Sequence, residues 1–127
     1  MTEREAIEAA GAPPAIGPYS HAVRAGDLLF CSGQIALDPD RGEIVSGAAA
    51  QQVEQCLRNL ETVCAAAGTS LGRALRLTIY TTDLEQFGAI NEAYGRFFDA
   101  DPPARVAVGV AALPMGALVE VEAVVAA

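Results

Sequence analysis

Residues Arg73 to Thr82, RALRLTIYTT, set Leu75, Leu77 and Ile79 against Arg76, Thr78 and Tyr80. Alternation with a period of two is that of a strand whose two faces meet different surroundings. What flanks this strand decides the fold. Before it, from about Ala48 to Ala67, Val53, Leu57, Leu60, Cys64 and Ala67 recur at helical spacing and form a single stripe. Ser46 is a candidate cap for that helix and Gly68 a candidate C′ residue. After it, Asp83 with Gln86 forms a capping-box pair ahead of a second stripe, Phe87, Ile90, Tyr94 and Phe97, and Asp101-Pro102-Pro103 closes that helix.

Further out, SHAVRAGDLLFCSGQI (Ser20 to Ile35) holds two apolar runs around the turn Ala25-Gly26-Asp27, a hairpin whose second run ends at Ser32-Gly33. The segment ALDPDRGEIV is turn-rich. Residues 1–15 are charged, then proline-rich, and are expected to form an extended arm. At the other end, strands Arg105 to Val110 and Leu118 to Val125 flank the loop Leu113-Pro114-Met115-Gly116 and read as a second hairpin. Hairpins at both ends with two interleaved helices predict an α+β fold, a mixed β-sheet with two helices packed on one face. No internal repeat or linker divides residues 1–127, so one domain is expected. The sheet's other face carries apolar residues too, and such a face is expected to meet other copies of the chain.

Composition narrows the chemistry. Sixteen carboxylates oppose eight basic residues, giving a formal charge of −8, and every basic residue is arginine. Without lysine there is no Schiff-base or pyridoxal-phosphate mechanism. An acidic chain repels phosphate backbones and anionic bilayers, so neither nucleic acid nor membrane is the expected partner. A single histidine, His21, and three cysteines without C-x-x-C spacing give no metal cluster and no His-based triad. The odd, unpaired cysteines, with no apolar leader, fit a reducing cytoplasm.

Several short stretches then act together: IGPYS (Ile16 to Ser20), CSGQI (Cys31 to Ile35), Asn59 and Gly68 around the first helix, NEAYGRFF (Asn91 to Phe98), PPARVAVGVAALP (Pro102 to Pro114) and VEVEAV. In this order they resemble the reactive intermediate deaminase family, also called Rid or YjgF. The resemblance implies a chorismate-mutase-like fold assembled as a homotrimer with a cleft at each subunit interface. It implies hydrolysis of enamines and imines such as 2-aminoacrylate, 2-iminopropanoate and 2-iminobutanoate to 2-oxo acids and ammonia, with no cofactor and no metal. By the same resemblance Arg105 grips the substrate carboxylate and Glu120 positions or activates water. Tyr19, Ser32, Gly33 and Asn91 match cleft positions. Ala107 stands where deaminases of the family often have cysteine. A trimeric binder of small 2-oxo or carboxylic acids, and an endoribonuclease, are the alternative readings.

These residue types suit those roles. Arginine presents a planar fork of donors matched to a carboxylate, and one glutamate can take a proton from water and later give it to a departing amine. Plainer readings exist for each. Arg105 could pair with Asp99 or Asp101. Glu120 and Glu122, two apart on a strand, point to one face, and spacing alone does not choose between them. Tyr19 could be a packing residue, Ser32-Gly33 a strand-end turn and Asn91 a surface amide. His21 is expected at a hairpin edge with no chemical role, and Cys31 as a buried thiol.

Overall fold

The computed structural model describes residues 3–127. Its strands are β1 (Arg4–Ile7), β2 (Ala22–Ala25), β3 (Leu28–Ile35), β4 (Ala74–Thr81), β5 (Ala104–Gly109) and β6 (Val119–Ala126), with helices α1 (Ala49–Ala66) and α2 (Phe87–Gly95). They form one six-stranded mixed sheet in the order β1-β2-β3-β6-β4-β5. β6 runs antiparallel to both β3 and β4, so β3 and β4 are parallel to each other, and β5 is parallel to β4. The connections β3-α1-β4 and β4-α2-β5 both step in the same direction across the sheet. Right-handed crossovers in one direction place their helices on one face, and the two helices pack together there.

The core lies between that face and α1. Val53, Leu57, Leu60, Val63 and Cys64 from the helix meet Leu29, Leu77, Ile79, Val119, Val121 and Val125 from the sheet, all fully buried. Along β6, Val119, Val121, Ala123 and Val125 are buried while Glu120, Glu122 and Val124 between them are half-exposed. The half-exposed set faces away from the helices. With Phe30 (46% exposed), Val106 (46%) and Val108 (36%) it makes an open sheet face that is partly apolar.

The structure corrects the sequence reading in four places. β5 and β6 do not form a hairpin, because β4 lies between them. α2 carries the chain across to the far edge of β4, where β5 pairs in parallel; the β5–β6 connection then returns it to the gap between β3 and β4. The N-terminal arm is not merely extended: Arg4–Ile7 joins the sheet as its edge strand, paired with β2. Ser46 does not cap α1, whose N-cap is Ala48, and the Gln51 side chain accepts from the Ala48 N–H at 2.9 Å. Asp83 accepts from Glu85 N–H at the start of a short 3-10 turn, and the α-helix proper begins at Phe87 and ends at Gly95, so Phe97 lies beyond it. Gly68 stands as expected, with φ +80° and its N–H donating to the Ala65 carbonyl.

β3 contains a bulge. Its register with β6 shifts between Cys31, opposite Ala123, and Gln34, opposite Val121. Ser32-Gly33 therefore interrupts the strand rather than ending it. One additional residue reverses the alternation downstream: Leu29 and Cys31 face the helices before the bulge, whereas after it Ala36 joins the main core and Ile35, opposite Glu120, turns to the other face. There Ile35, Leu37 and Ala117 form a second small apolar cluster.

Asn59 on α1 secures this segment. Fully buried, it donates from Nδ2 to the carbonyls of Ile35 (3.3 Å) and Leu37 (3.0 Å), and its Oδ1 accepts from Gln55 at 2.9 Å. Asn59→Leu fills similar space but leaves the Leu37 carbonyl without a donor, while the Ile35 carbonyl keeps only the Leu37 N–H at 2.8 Å. Stability is expected to fall by about 2 kcal/mol, measurable as a lower denaturation midpoint with an unchanged m-value.

Candidate functional site

Tyr19, Ser32, Gly33 and Glu120 come together. They line a concave pocket of about 340 Å³ with Pro13, Pro14, Ile16, Gln34, Ile35, Leu37 and Pro114. The bulge and β6 make its floor, the N-terminal arm one wall, and the loop before β6 another. No arginine lines it. Its chemistry is one carboxylate, hydroxyls and backbone groups set in apolar walls, the usual make-up of a small-molecule site.

At the floor, the Ser32 hydroxyl donates to the Ser20 carbonyl at 2.6 Å and the Ser32 N–H to the His21 carbonyl at 3.0 Å. These bonds hold the bulge against the arm. The Glu120 carboxylate lies directly over Gly33, where a Cβ would stand 2.5 Å from Oε2. Only a residue without a side chain admits that approach. Burial raises the pKa of Glu120 above the ordinary carboxylate value, and the negative charge of Glu122 raises it further.

His21, directly before β2, is 3% exposed and bonded through both ring nitrogens. The Ala9 N–H donates to Nδ1 at 2.8 Å, which makes Nε2 the protonated nitrogen, donating to the Pro13 carbonyl at 2.8 Å. The ring thereby fixes the arm that carries Pro13 and Pro14 into the pocket wall. This role and the Pro13-Pro14-Ile16 wall were missed in the sequence, where PPAIGPY signals only rigidity. Cys31 is buried and free, as expected.

Arg105, Asn91 and Ala107 lie elsewhere. In the parallel pairing of β4 with β5, Arg105 sits opposite Leu77 and Ala107 opposite Ile79, so both point to the helix side, whereas Glu120, opposite Tyr80, points to the open side. Arg105 and Glu120 of one chain are therefore on opposite faces of the same sheet. Ala107 is partly buried against the main core. The Arg105 guanidinium stands 5.3 Å from the Phe87 ring centre and 5.1 Å from that of Tyr94, and donates to Asn91 Oδ1 at 2.5 Å. Phe87, Asn91 and Tyr94 are spaced as one face of α2, so the helix forms an aromatic and amide cradle for the exposed guanidinium. Neither Asp99 nor Asp101 forms an ion pair with Arg105 among the described residues. Arg105 is positioned but not neutralised, which leaves it free to receive an anion.

Comparison with known proteins finds relatives along nearly the whole chain. A family model described as Endoribonuclease L-PSP matches residues 9–127. The chain is 50% identical over 121 residues to the RutC family protein y4sK of Sinorhizobium fredii, covering 95% of this chain and 96% of that one. It is 42% identical over 121 residues to the human 2-iminobutanoate/2-iminopropanoate deaminase, covering 95% of this chain and 88% of that one. The crystal structure of RidA from the Antarctic bacterium Psychrobacter sp. PAMC 21119 superposes with a TM-score of 0.93 at 38% identity, covering 97% of this chain and 99% of that one. With sequence, fold and topology in agreement over nearly its whole length, the chain belongs to the Rid/YjgF family.

Proposed function

We propose that the protein is an enamine/imine deaminase that hydrolyses 2-aminoacrylate, 2-iminopropanoate, 2-iminobutanoate and similar compounds to 2-oxo acids and ammonia. The observation that carries the reading is the division of the site. A pocket holding Glu120 has no cation in its lining, and the unneutralised Arg105 lies outside that pocket, so each supplies what the other lacks. They combine only if β5 of one copy approaches the Glu120 pocket of another. A closed ring of copies does this with one repeated contact, and the partly apolar open sheet face gives such a homotrimer a surface to bury.

In the shared cleft Arg105 grips the substrate carboxylate through its planar fork, held in place by Asn91 and the two aromatic rings. Tyr19 and the Ser32-Gly33 backbone border the substrate, and Ala107 beside Arg105 leaves room for it. Glu120 accepts a proton from water as the oxygen attacks the carbon of the protonated imine, giving a tetrahedral carbinolamine. It returns that proton to nitrogen, and as the C–N bond breaks the Glu120 carboxylate takes up the hydroxyl proton while the carbonyl forms, then passes it to the departing ammonia, leaving the 2-oxo acid. A carboxylate whose proton affinity is raised is the better shuttle for both steps. The reaction needs no cofactor. Its uncatalysed barrier is low, so orientation of substrate and water supplies much of the acceleration.

The test compares Glu120→Gln with the native protein on imines generated in situ by an amino-acid oxidase. Turnover is expected to fall by about two to three orders of magnitude while binding of 2-oxobutyrate, followed by calorimetry, persists. Equal, near-background turnover in both proteins would favour a non-catalytic binder of small acids. The description of the family model favours a second reading, an endoribonuclease. The charge of −8 and the absence of lysine weigh against it, and RNA cleavage that disappears in Arg105→Ala would favour it.

A further inference from the structure

Glu120 has little room. Its carboxylate lies so close over Gly33 that a Cβ there would collide with it, and in the proposed assembly it also faces the neighbouring copy's Arg105 across the cleft. Its aim is therefore set by where the backbone enters β6. The loop that delivers the chain to β6 turns through two successive left-handed residues, Met115 (φ 57°) and Gly116 (φ 70°), and at Met115 that conformation is strained. Such a loop relaxes unless its exit is held. Leu118, the residue before β6, is held twice: its carbonyl accepts from the Thr82 N–H at 3.1 Å, and its N–H donates to Gln52 Oε1 at 2.9 Å. Gln52 is on α1 and 5% exposed. One turn further along the helix, Cys56 Sγ donates to the Val119 carbonyl at 3.6 Å. Gln52, Cys56 and Asn59 follow at spacings of four and three, a hydrogen-bonding stripe within the buried face of α1. Asn59 holds the β3 side of the pocket, and Gln52 holds the β6 side.

We infer that Gln52 is a positioning residue for the proposed reaction: it holds Leu118, and through Leu118 it aims the Glu120 carboxylate between Gly33 of its own chain and the neighbouring copy's Arg105. Residues two apart on a strand project to the same side, so a displaced Leu118 backbone carries Glu120 with it. Gln52 itself touches neither substrate nor reacting atoms. The neighbouring copy's Arg105 grips the substrate carboxylate from the far side of the cleft, and its cradle of Phe87, Asn91 and Tyr94 is built without Gln52. Loss of the Gln52 acceptor is therefore expected to misplace the proton-transferring group and to leave the carboxylate grip intact. An amide that merely filled a polar hole in the core would lower stability and nothing else.

This inference rests on the role proposed for Glu120, and one arm of its test needs no turnover. Crystal structures of the assembled native protein and of Gln52→Met, which keeps the length of the side chain but has no oxygen acceptor, are compared at Glu120. The carboxylate is expected to leave its place over Gly33 in the variant, and a carboxylate that stays there overturns the inference. In the kinetic arm, Gln52→Met is expected to lower kcat for imine hydrolysis by about 10- to 100-fold while KM and calorimetric binding of 2-oxobutyrate stay within about twofold of native. Gln52→Glu, whose side-chain oxygen still accepts from Leu118, is expected to recover most of kcat. Loss of 2-oxobutyrate binding in step with kcat, or a folded Gln52→Glu as slow as Gln52→Met, overturns the inference. If Gln52→Met does not assemble, Gln52→Asn, whose amide falls one methylene short of Leu118, is read in the same way. Absence of hydrolysis in the native protein counts against the deaminase reading alone and leaves the position of Glu120 in the variant to decide the role of Gln52.

Discussion

Arg105→Ala is expected to lower the rate of 2-oxo acid release from imines by about two to three orders of magnitude, the usual cost of removing one partner from a desolvated charge pair. The fold is expected to survive, because the guanidinium is exposed and rests on α2 without filling core space. Arg105→Lys should recover little, since an ammonium cannot make two parallel bonds to a carboxylate. Because Arg105 and Glu120 of one chain face opposite sides of the sheet, a sharper outcome follows from mixing. When Arg105→Ala and Glu120→Gln chains are co-expressed at equal levels, random assembly gives about one quarter of the clefts both native groups. Activity near that fraction, from two variants each inactive alone, is the expected assay result. A mixture as inactive as its components would mean that the two residues do not share a cleft across subunits.

The second large effect is expected at Gly33. A methyl group there would stand 2.5 Å from Glu120 Oε2 and 3.0 Å from its carboxyl carbon, so the carboxylate must move. The displaced group is the end of a side chain, and the fold yields cheaply, with a stability change of about 1 kcal/mol or less. Catalysis does not yield cheaply. A shift of about 1 Å in a proton-transferring group costs roughly 100-fold in rate, so Gly33→Ala should lose activity far out of proportion to its thermal shift. Activity within a few-fold of native in a protein of native stability would show that Glu120 need not lie over the bulge.

Much of the fold was legible because the segments carry their own periodicities. The strand at Leu77 to Tyr80, the stripe from Val53 to Ala67 and the glycine closing α1 stand where the pattern puts them, whereas Leu75, at a register shift between Ala74 and Arg76, is 48% exposed rather than buried with Leu77 and Ile79. Strand partnership was not legible. Nothing local in VEVEAV says that β6 enters the sheet between β3 and β4; that follows from where two crossovers leave a gap. The edge strand Arg4–Ile7 is equally silent, since three of its four residues are exposed and its pairing is decided by β2. Within the candidate site, Tyr19, Ser32, Gly33 and Glu120 line one pocket, yet no sequence pattern assigns Arg105 and Glu120 to opposite faces. That requires the register of three strands at once. The structural role of His21 was not legible for a similar reason: it lies in two hydrogen bonds, to Ala9 and Pro13, twelve and eight residues away.

The bulge at Ser32-Gly33 has a bearing on how such a chain can diverge. Substitutions elsewhere in β3 alter one contact at a time. Gain or loss of a single residue at the bulge instead exchanges the two sides of the sheet for everything that follows, sending Ala36 out of the main core and Ile35 into it, and stripping the pocket of its floor. No gradual route connects the two phases. Drift by replacement is open to this strand, whereas length change at that point is closed, so a sequence can wander far while the count of residues between Cys31 and Glu120's neighbour Ile35 holds still.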